Sequence, residues 1–197
     1  TRNDDFKAAA ASATTAHEAA RRTRQPRLIA TSLLRLAEAE HRARPGPQTL
    51  RHATEAFEIF KTLGDPSGQG RALWIVAMFR AFQGRAADTD QAAREALALC
   101  KSCGDLYGAG NASNMLLFHE GNLVEALKLS SQALADFEAS GYDERQAIVT
   151  ANRGITYAGL GLHRHARRLY ARATGIYERI GARAHLRNAS LGLAEVE

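Results

Sequence analysis

The sequence has no apolar run long enough to cross a bilayer. The longest, Leu73 to Phe79, stops at Arg80, far short of the roughly 18 to 20 residues that a spanning helix needs. Proline is scarce, with four in 197 residues, so the strongest helix breaker is almost missing. The two cysteines, Cys100 and Cys103, are too few and too close to frame a disulfide-stapled domain, and a reducing, cytoplasmic location is expected. Residue 1 is not Met, and no basic segment leads into an apolar one. The chain is therefore expected to start inside a longer reading frame rather than with a signal peptide. Lysine is rare too: 22 of the 26 basic residues are arginine. That bias fits phosphate or carboxylate recognition, and it fits a GC-rich coding bias, to which the abundant alanine also points. What remains is close to average globular composition, 45% hydrophobic and 24% charged, and rich in helix formers. The length suits one compact domain or a short solenoid.

The stretches F-K-T-L-G-D (60–65), C-K-S-C-G-D (100–105), F-E-A-S-G-Y (137–142) and Y-E-R-I-G-A (177–182) align. Their glycines, Gly64, Gly104, Gly141 and Gly181, are 40, 37 and 40 residues apart, and a second series, Gly84, Gly121 and Gly161, stands 20 residues before each later member. Two segments therefore alternate in each unit, A and then B, with A three residues shorter between Gly104 and Gly121. Eight residues before each closing glycine stand Ala56, Ala96, Ala133 and Ala173, and four before it stand Phe60, Cys100, Phe137 and Tyr177. A small and a bulky residue four apart lie on one helix face, where two helices touch and then interlock. Each B segment reads as an amphipathic helix closed by a left-handed glycine. Asp65 and Asp105 are expected to cap the next helix, with Pro66 in its first turn. Residues 26–43 form the A helix of an earlier unit, followed by a turn at 44–47. The units run at 26–64, 65–104, 105–141 and 142–181 within a single 1–197 domain, with partial units at 5–24 and 182–197. The chain thus begins and ends in mid-repeat, as expected of a segment cut from a longer array or of terminal capping helices.

Gly154, Tyr157, Ala166, Tyr170 and Ala173 stand at the spacing G-x2-Y-x8-A-x3-[FY]-x2-A. On these residues the unit at 147–180 resembles the tetratricopeptide repeat. Thr150, Arg153 and Glu178 replace that family's usual Trp, Leu and Pro, which leaves helix boundaries open. The period near 40 and the bulky-x-x-x-G-D-x-x-G motif resemble the long variant found in kinesin light chains and in the C-terminal arrays of bacterial LuxR-class and antibiotic regulators. The resemblance implies an all-α, right-handed superhelical solenoid of antiparallel helix pairs, nine to ten helices in all. It also implies a non-catalytic protein or peptide interaction scaffold, such as a sensor or regulatory arm of a larger bacterial signalling or transcriptional regulator.

Other chemistry finds little support. A structural zinc site needs four ligands, and Cys100 and Cys103 have no second pair. They occupy positions held in other units by Phe60 and Leu63, so packing is the expected role of Cys100. G-Q-G (68–70) and G-A-G (108–110) lack the Lys-[Ser/Thr] of a phosphate loop and read as helix starts. No catalytic spacing or cofactor fingerprint emerges, so no enzyme, cofactor or metal is expected. The resemblance places the A helices along a concave groove, which makes Thr31, Arg35, Glu38, Arg71, Trp74, Met78, Asn111, Asn114, Phe118, Ile148, Asn152 and Ile155 the candidate partner-binding residues. Trp74 fits inter-repeat core equally well. Asn amides suit a peptide backbone and Arg a carboxylate. A second candidate is the basic face Arg164, Arg167, Arg168 and Arg172, opposite the apolar stripe. Residues 163–187 carry seven Arg and one Glu, whereas 86–143 carry nine acids and three bases. That polarity admits an acidic partner, nucleic acid or self-association, besides a merely solvated surface. No membrane partner is expected.

Overall fold

A computed structural model describes residues 2–117 and 123–196, with side chains for 6–117, 123–183 and 185–196. Phe118 and Gly121 lie outside the described residues. Ten helices occur among those described: α1 (Arg2–Thr23), α2 (Pro26–Ala43), α3 (Pro47–Thr62), α4 (Pro66–Phe82), α5 (Ala86–Ser102), α6 (Leu106–Leu116), α7 (Leu123–Ala139), α8 (Asp143–Gly159), α9 (His163–Arg179) and α10 (Arg183–Ala194). None is long and apolar enough to cross a membrane. The shortened A segment is α6, with 11 residues against 17 in α4 and α8. The helices fall into two compact units, residues 1–120 and 121–197.

In the first unit, α1 to α6 pack each against the next, and the A helices α2, α4 and α6 also touch in that order. In the second, α7 to α10 do the same, with α8 touching α10. Each is an all-α stack of antiparallel helix pairs. The turns follow from glycine: Gly64, Gly84, Gly104, Gly141, Gly161 and Gly181 all have φ between +63° and +73°. At this left-handed position an L side chain is strained. The residue after the glycine then donates its N–H back to the helix, as in Asp65 to Phe60 O and Asp105 to Cys100 O, both 2.9 Å, so a terminal carbonyl does not go unpaired. Asp65 and Asp105 cap the following helices as the sequence indicates, accepting from the N–H of Gly68 (2.9 Å) and Gly108 (3.0 Å).

The alternating small and bulky stripe is the core. Ala56, Ala96, Ala133 and Ala173 are buried, and so are Phe60, Cys100, Phe137 and Tyr177. The glycine pairs at 68–70 and 108–110 lie in the first turns of α4 and α6, where they permit close approach. A Cβ on Gly68 would come within 2.3 Å of the Phe60 ring, and one on Gly70 or Gly108 within 2.4 Å of Cys100 Sγ. The sulfur is therefore gripped between two A helices. This explains a cysteine where other units carry an aromatic ring. Burial pushes its thiol up to about 12, while Cys103 stands exposed at the helix end.

Asp105 also ties the A helices together. Arg71 Nε and Nη2 donate to its two carboxylate oxygens at 2.6 and 2.8 Å, and Ser67 Oγ donates at 2.7 Å. Burial alone would raise this carboxyl, but the hydrogen bonds from Arg71, Gly108 and Ser67 outweigh it and hold it below its ordinary range. The outermost helix of the first unit is held more lightly. Among its residues with described side chains Ala20 alone is buried, and His17 Nδ1 meets Ser32 Oγ at 2.9 Å.

Candidate binding cleft

Along the A helices of the first unit, the candidate residues are mostly engaged with their own chain. Arg35 and Arg42 both bond the Glu38 carboxylate, at 3.3 and 3.0 Å. Arg71 is held by Asp105 and lies 5.1 Å over the Tyr107 ring. Trp74 is 5% exposed and belongs to the core; Met78 is half-buried. Thr31 is exposed, its hydroxyl bonded to Arg27 O. Asn111 is 3% exposed and its Nδ2 has no hydrogen-bond partner among the described residues, a costly arrangement for an amide. Asn114 is half-buried.

The second unit is different. Ile148, Asn152 and Ile155, spaced four and three apart on α8, fall on one helix face, and that face lines a cleft of about 400 Å³ opened by α10. The opposite wall is His185, Asn188 and Leu191 of α10, with Glu195 at its C-cap. Both walls offer apolar surface to solvent: Ile155 is 53% exposed and Leu191 58%. The floor is made by Tyr170 and Tyr177 of α9. Tyr170 lies between two helices because both carry glycine there; a Cβ on Gly154 or Gly192 would fall 2.9 or 2.7 Å from its ring. Tyr177 packs in the buried cluster with Ala147, Ala173, Ile176 and Ala189. The two side chains are 5% and 2% exposed, yet they line the cleft, and neither hydroxyl has a hydrogen-bond partner among the described residues. Burial raises the pKa of both phenols, helped by Glu195 at Tyr170 and by Glu144 at Tyr177. The hydroxyls thus stay protonated and can donate. His185 is fixed at the cleft edge, stacked on Tyr177 at 5.4 Å with its Nε2 3.4 Å from Glu144 Oε1.

The basic face lies on α9, away from its buried stripe. Arg164, Arg167, Arg168 and Arg172 are exposed. Arg172 bonds Glu138 at 2.9 Å, whereas the other three have no ion-pair partner among the described residues. They crowd the N-terminal turns of α9, which has no acid in its first turn and no side-chain cap.

The wall contributed by α10 is what reading the sequence missed, although the period contained it. Adding 40 residues to Ile148, Asn152 and Ile155 gives Asn188, Gly192 and Glu195, all of which line the cleft.

Residues 111–179 match the tetratricopeptide repeat family model. Over those residues the repeats are of the tetratricopeptide type. No curated protein matches the sequence. Among solved structures, BtubC (BKLC) from P. vanneervenii is similar, with a TM-score of 0.75 at 20% identity, over 97% of this chain and 82% of that one. At that identity the likeness concerns the fold, an all-α tetratricopeptide-like solenoid.

Proposed function

We propose that this tetratricopeptide-type chain is a non-catalytic scaffold that holds a protein or peptide segment in the α8/α10 cleft. One observation carries the reading: exposed Ile155 and Leu191 line one cleft with buried tyrosines whose hydroxyls have no hydrogen-bond partner among the described residues. Apolar walls with a few fixed donors are what a peptide needs, since its side chains seek burial and its carbonyls seek N–H or O–H donors. The cytoplasmic setting and the role of a sensor or regulatory arm in a larger bacterial regulator follow from the resemblance of the long repeat, and belong to the same proposal. A photo-crosslinking residue placed at Ile155 and at Leu191 should capture a discrete protein partner that the same residue at exposed Ala98 does not. Capture from Ala98 alone would overturn the assignment of the cleft.

The basic face supports a second reading, an acidic partner or nucleic acid, because Arg164, Arg167 and Arg168 have no ion-pair partner among the described residues. Like charges three and four apart at the positive end of a helix disfavour the fold locally, and a polyanion would relieve them. Nucleic acid would then be retained at low salt and released steeply as salt rises; no retention at low salt removes it.

A further inference from the structure

We infer that the α8/α10 cleft selects a cationic peptide segment, one with an apolar side chain flanked by lysine or arginine. The inference rests on the peptide-binding reading above and adds the charge of the ligand. It follows from which charges reach the cleft and which do not. The chain as a whole is basic, with 26 Lys and Arg against 21 Asp and Glu. The two helices that form the walls carry Arg145 and Arg153 on α8 and Arg183 and Arg187 on α10. None of the four lines the cleft; its one formally charged lining residue is Glu195. The Glu195 carboxylate has no ion-pair partner among the described residues and acts on the Tyr170 hydroxyl. A second carboxylate, Glu144, stands behind the lining His185 and acts on Tyr177. Each floor tyrosine thus has an acid beside it, in a molecule whose net charge is +5.

Electrostatic complementarity governs which partner docks more than how tightly it does. Here it opposes the charge of the whole molecule: the +5 chain attracts acidic ligands at long range, whereas the cleft and the acid-rich stretch 86–143 favour basic ones. The part of a preference for a basic peptide that Glu195→Gln removes therefore reports on the cleft. Beside Glu195, Ile148, Ile155 and Leu191 provide apolar walls for one side chain, and the Tyr170 and Tyr177 hydroxyls meet backbone carbonyls.

The test titrates the full chain with fluorescein-labelled peptides of alternating leucine and lysine, leucine and glutamine, or leucine and glutamate. Anisotropy is read at low and at moderate salt. Each titration is repeated on the Arg164→Gln, Arg167→Gln, Arg168→Gln variant, so that the basic face cannot supply a site for the glutamate peptide. The expected order of affinity on that variant is lysine, then glutamine, then glutamate, with the first preference shrinking as salt rises. Glu195→Gln should weaken the lysine peptide about three- to fivefold, the size of one partly exposed ion pair, and leave the glutamine peptide unchanged. An equal or tighter glutamate peptide, or a lysine peptide indifferent to Glu195→Gln, overturns the inference. If the glutamine peptide still binds and is lost in Leu191→Ser, the cleft is a peptide site without charge preference. If no peptide binds, the peptide-binding reading falls with the inference.

Discussion

Gly70→Ala puts the close approach of α4 and α5 to a direct test. The new Cβ would lie 2.4 Å from Cys100 Sγ, 3.0 Å from the Ala96 carbonyl oxygen and 3.3 Å from the Cys100 nitrogen. Two of these atoms are backbone and cannot swing aside. The sulfur cannot retreat either, because a Cβ on Gly108 would meet it at the same 2.4 Å. Overpacking a filled site costs about 1 to 3 kcal/mol, and with so little freedom the upper part of that range applies. Against it stands the helix propensity of alanine over glycine, about 1 kcal/mol. The net expectation is a loss of about 2 kcal/mol, or roughly 4 to 8 °C in Tm for a chain of this size, read by far-UV circular dichroism during thermal or urea unfolding. Gly175→Ala is the control: it sits inside α9 with nothing within 4 Å of the new Cβ, so propensity acts alone and Tm should rise. In a Cys100→Ala background the sulfur contact is gone and the Ala96 contact remains, so Gly70→Ala should cost about 1 kcal/mol less there. A Gly70→Ala variant as stable as the parent, or a cost unchanged by Cys100→Ala, would refute the packing argument.

Three further outcomes follow from the same contacts. A thiol reagent such as DTNB should titrate one cysteine in the native chain, the exposed Cys103, and two in denaturant, because burial pushes Cys100 up to about 12 and withholds its thiolate. Asp105→Ala should destabilise by about 3 kcal/mol, since it leaves Arg71 half-buried without its carboxylate, and calorimetry would show a loss nearer zero if that pair were inert. Stability should also fall in two steps with acid. His17 and His41 are both lowered from 6.5, first by burial, so their contribution is complete above 6.5 and lost as pH drops through their folded values. Asp105, depressed from 3.8, keeps its contribution down to that value and loses it below. Tm measured from pH 7.5 to 2.5 should therefore decline below 6.5 and again below 4, and Asp105→Asn should remove part of the second decline.

Most of the helix pattern was legible because glycine and proline mark helix ends for reasons of backbone geometry that no tertiary contact overrides. The four glycines read as left-handed caps, Gly64, Gly104, Gly141 and Gly181, have positive φ, as do Gly84 and Gly161 of the second series, and the helix read at 26–43 spans those residues. Charge partners were not legible. Arg71 and Asp105 are 34 residues apart, and nothing in their local context distinguishes an arginine that binds a ligand from one that clasps the next repeat. The same holds for Trp74: an apolar residue on an A helix suits core and groove alike, and only the packing of neighbouring helices shows it buried. The α10 wall went unread for a different reason. A partial repeat was treated as an end of the pattern, whereas its residues continue the register of α8.

Equivalent positions in successive A helices therefore have unequal freedom to bind. In the first unit they are closed by the chain itself: Glu38 lies between two arginines, Arg71 is clamped by Asp105, and Trp74 is core. Each such contact satisfies a charge or buries a ring that a ligand would otherwise have to displace, and breaking the partly buried Arg71–Asp105 pair costs about 3 kcal/mol. In the second unit the same register carries Ile148 and Ile155 on α8, opposite Asn188 and Leu191 on α10. There Ile155 and Leu191 are exposed, and covering apolar surface contributes about 25 cal/mol per Å². A peptide that gains by burying Ile155 and Leu191 gains nothing comparable along α2 or α4. The repeat supplies one surface many times over; internal pairing closes it along α2 and α4, while Ile155 on α8 and Leu191 on α10 stay exposed.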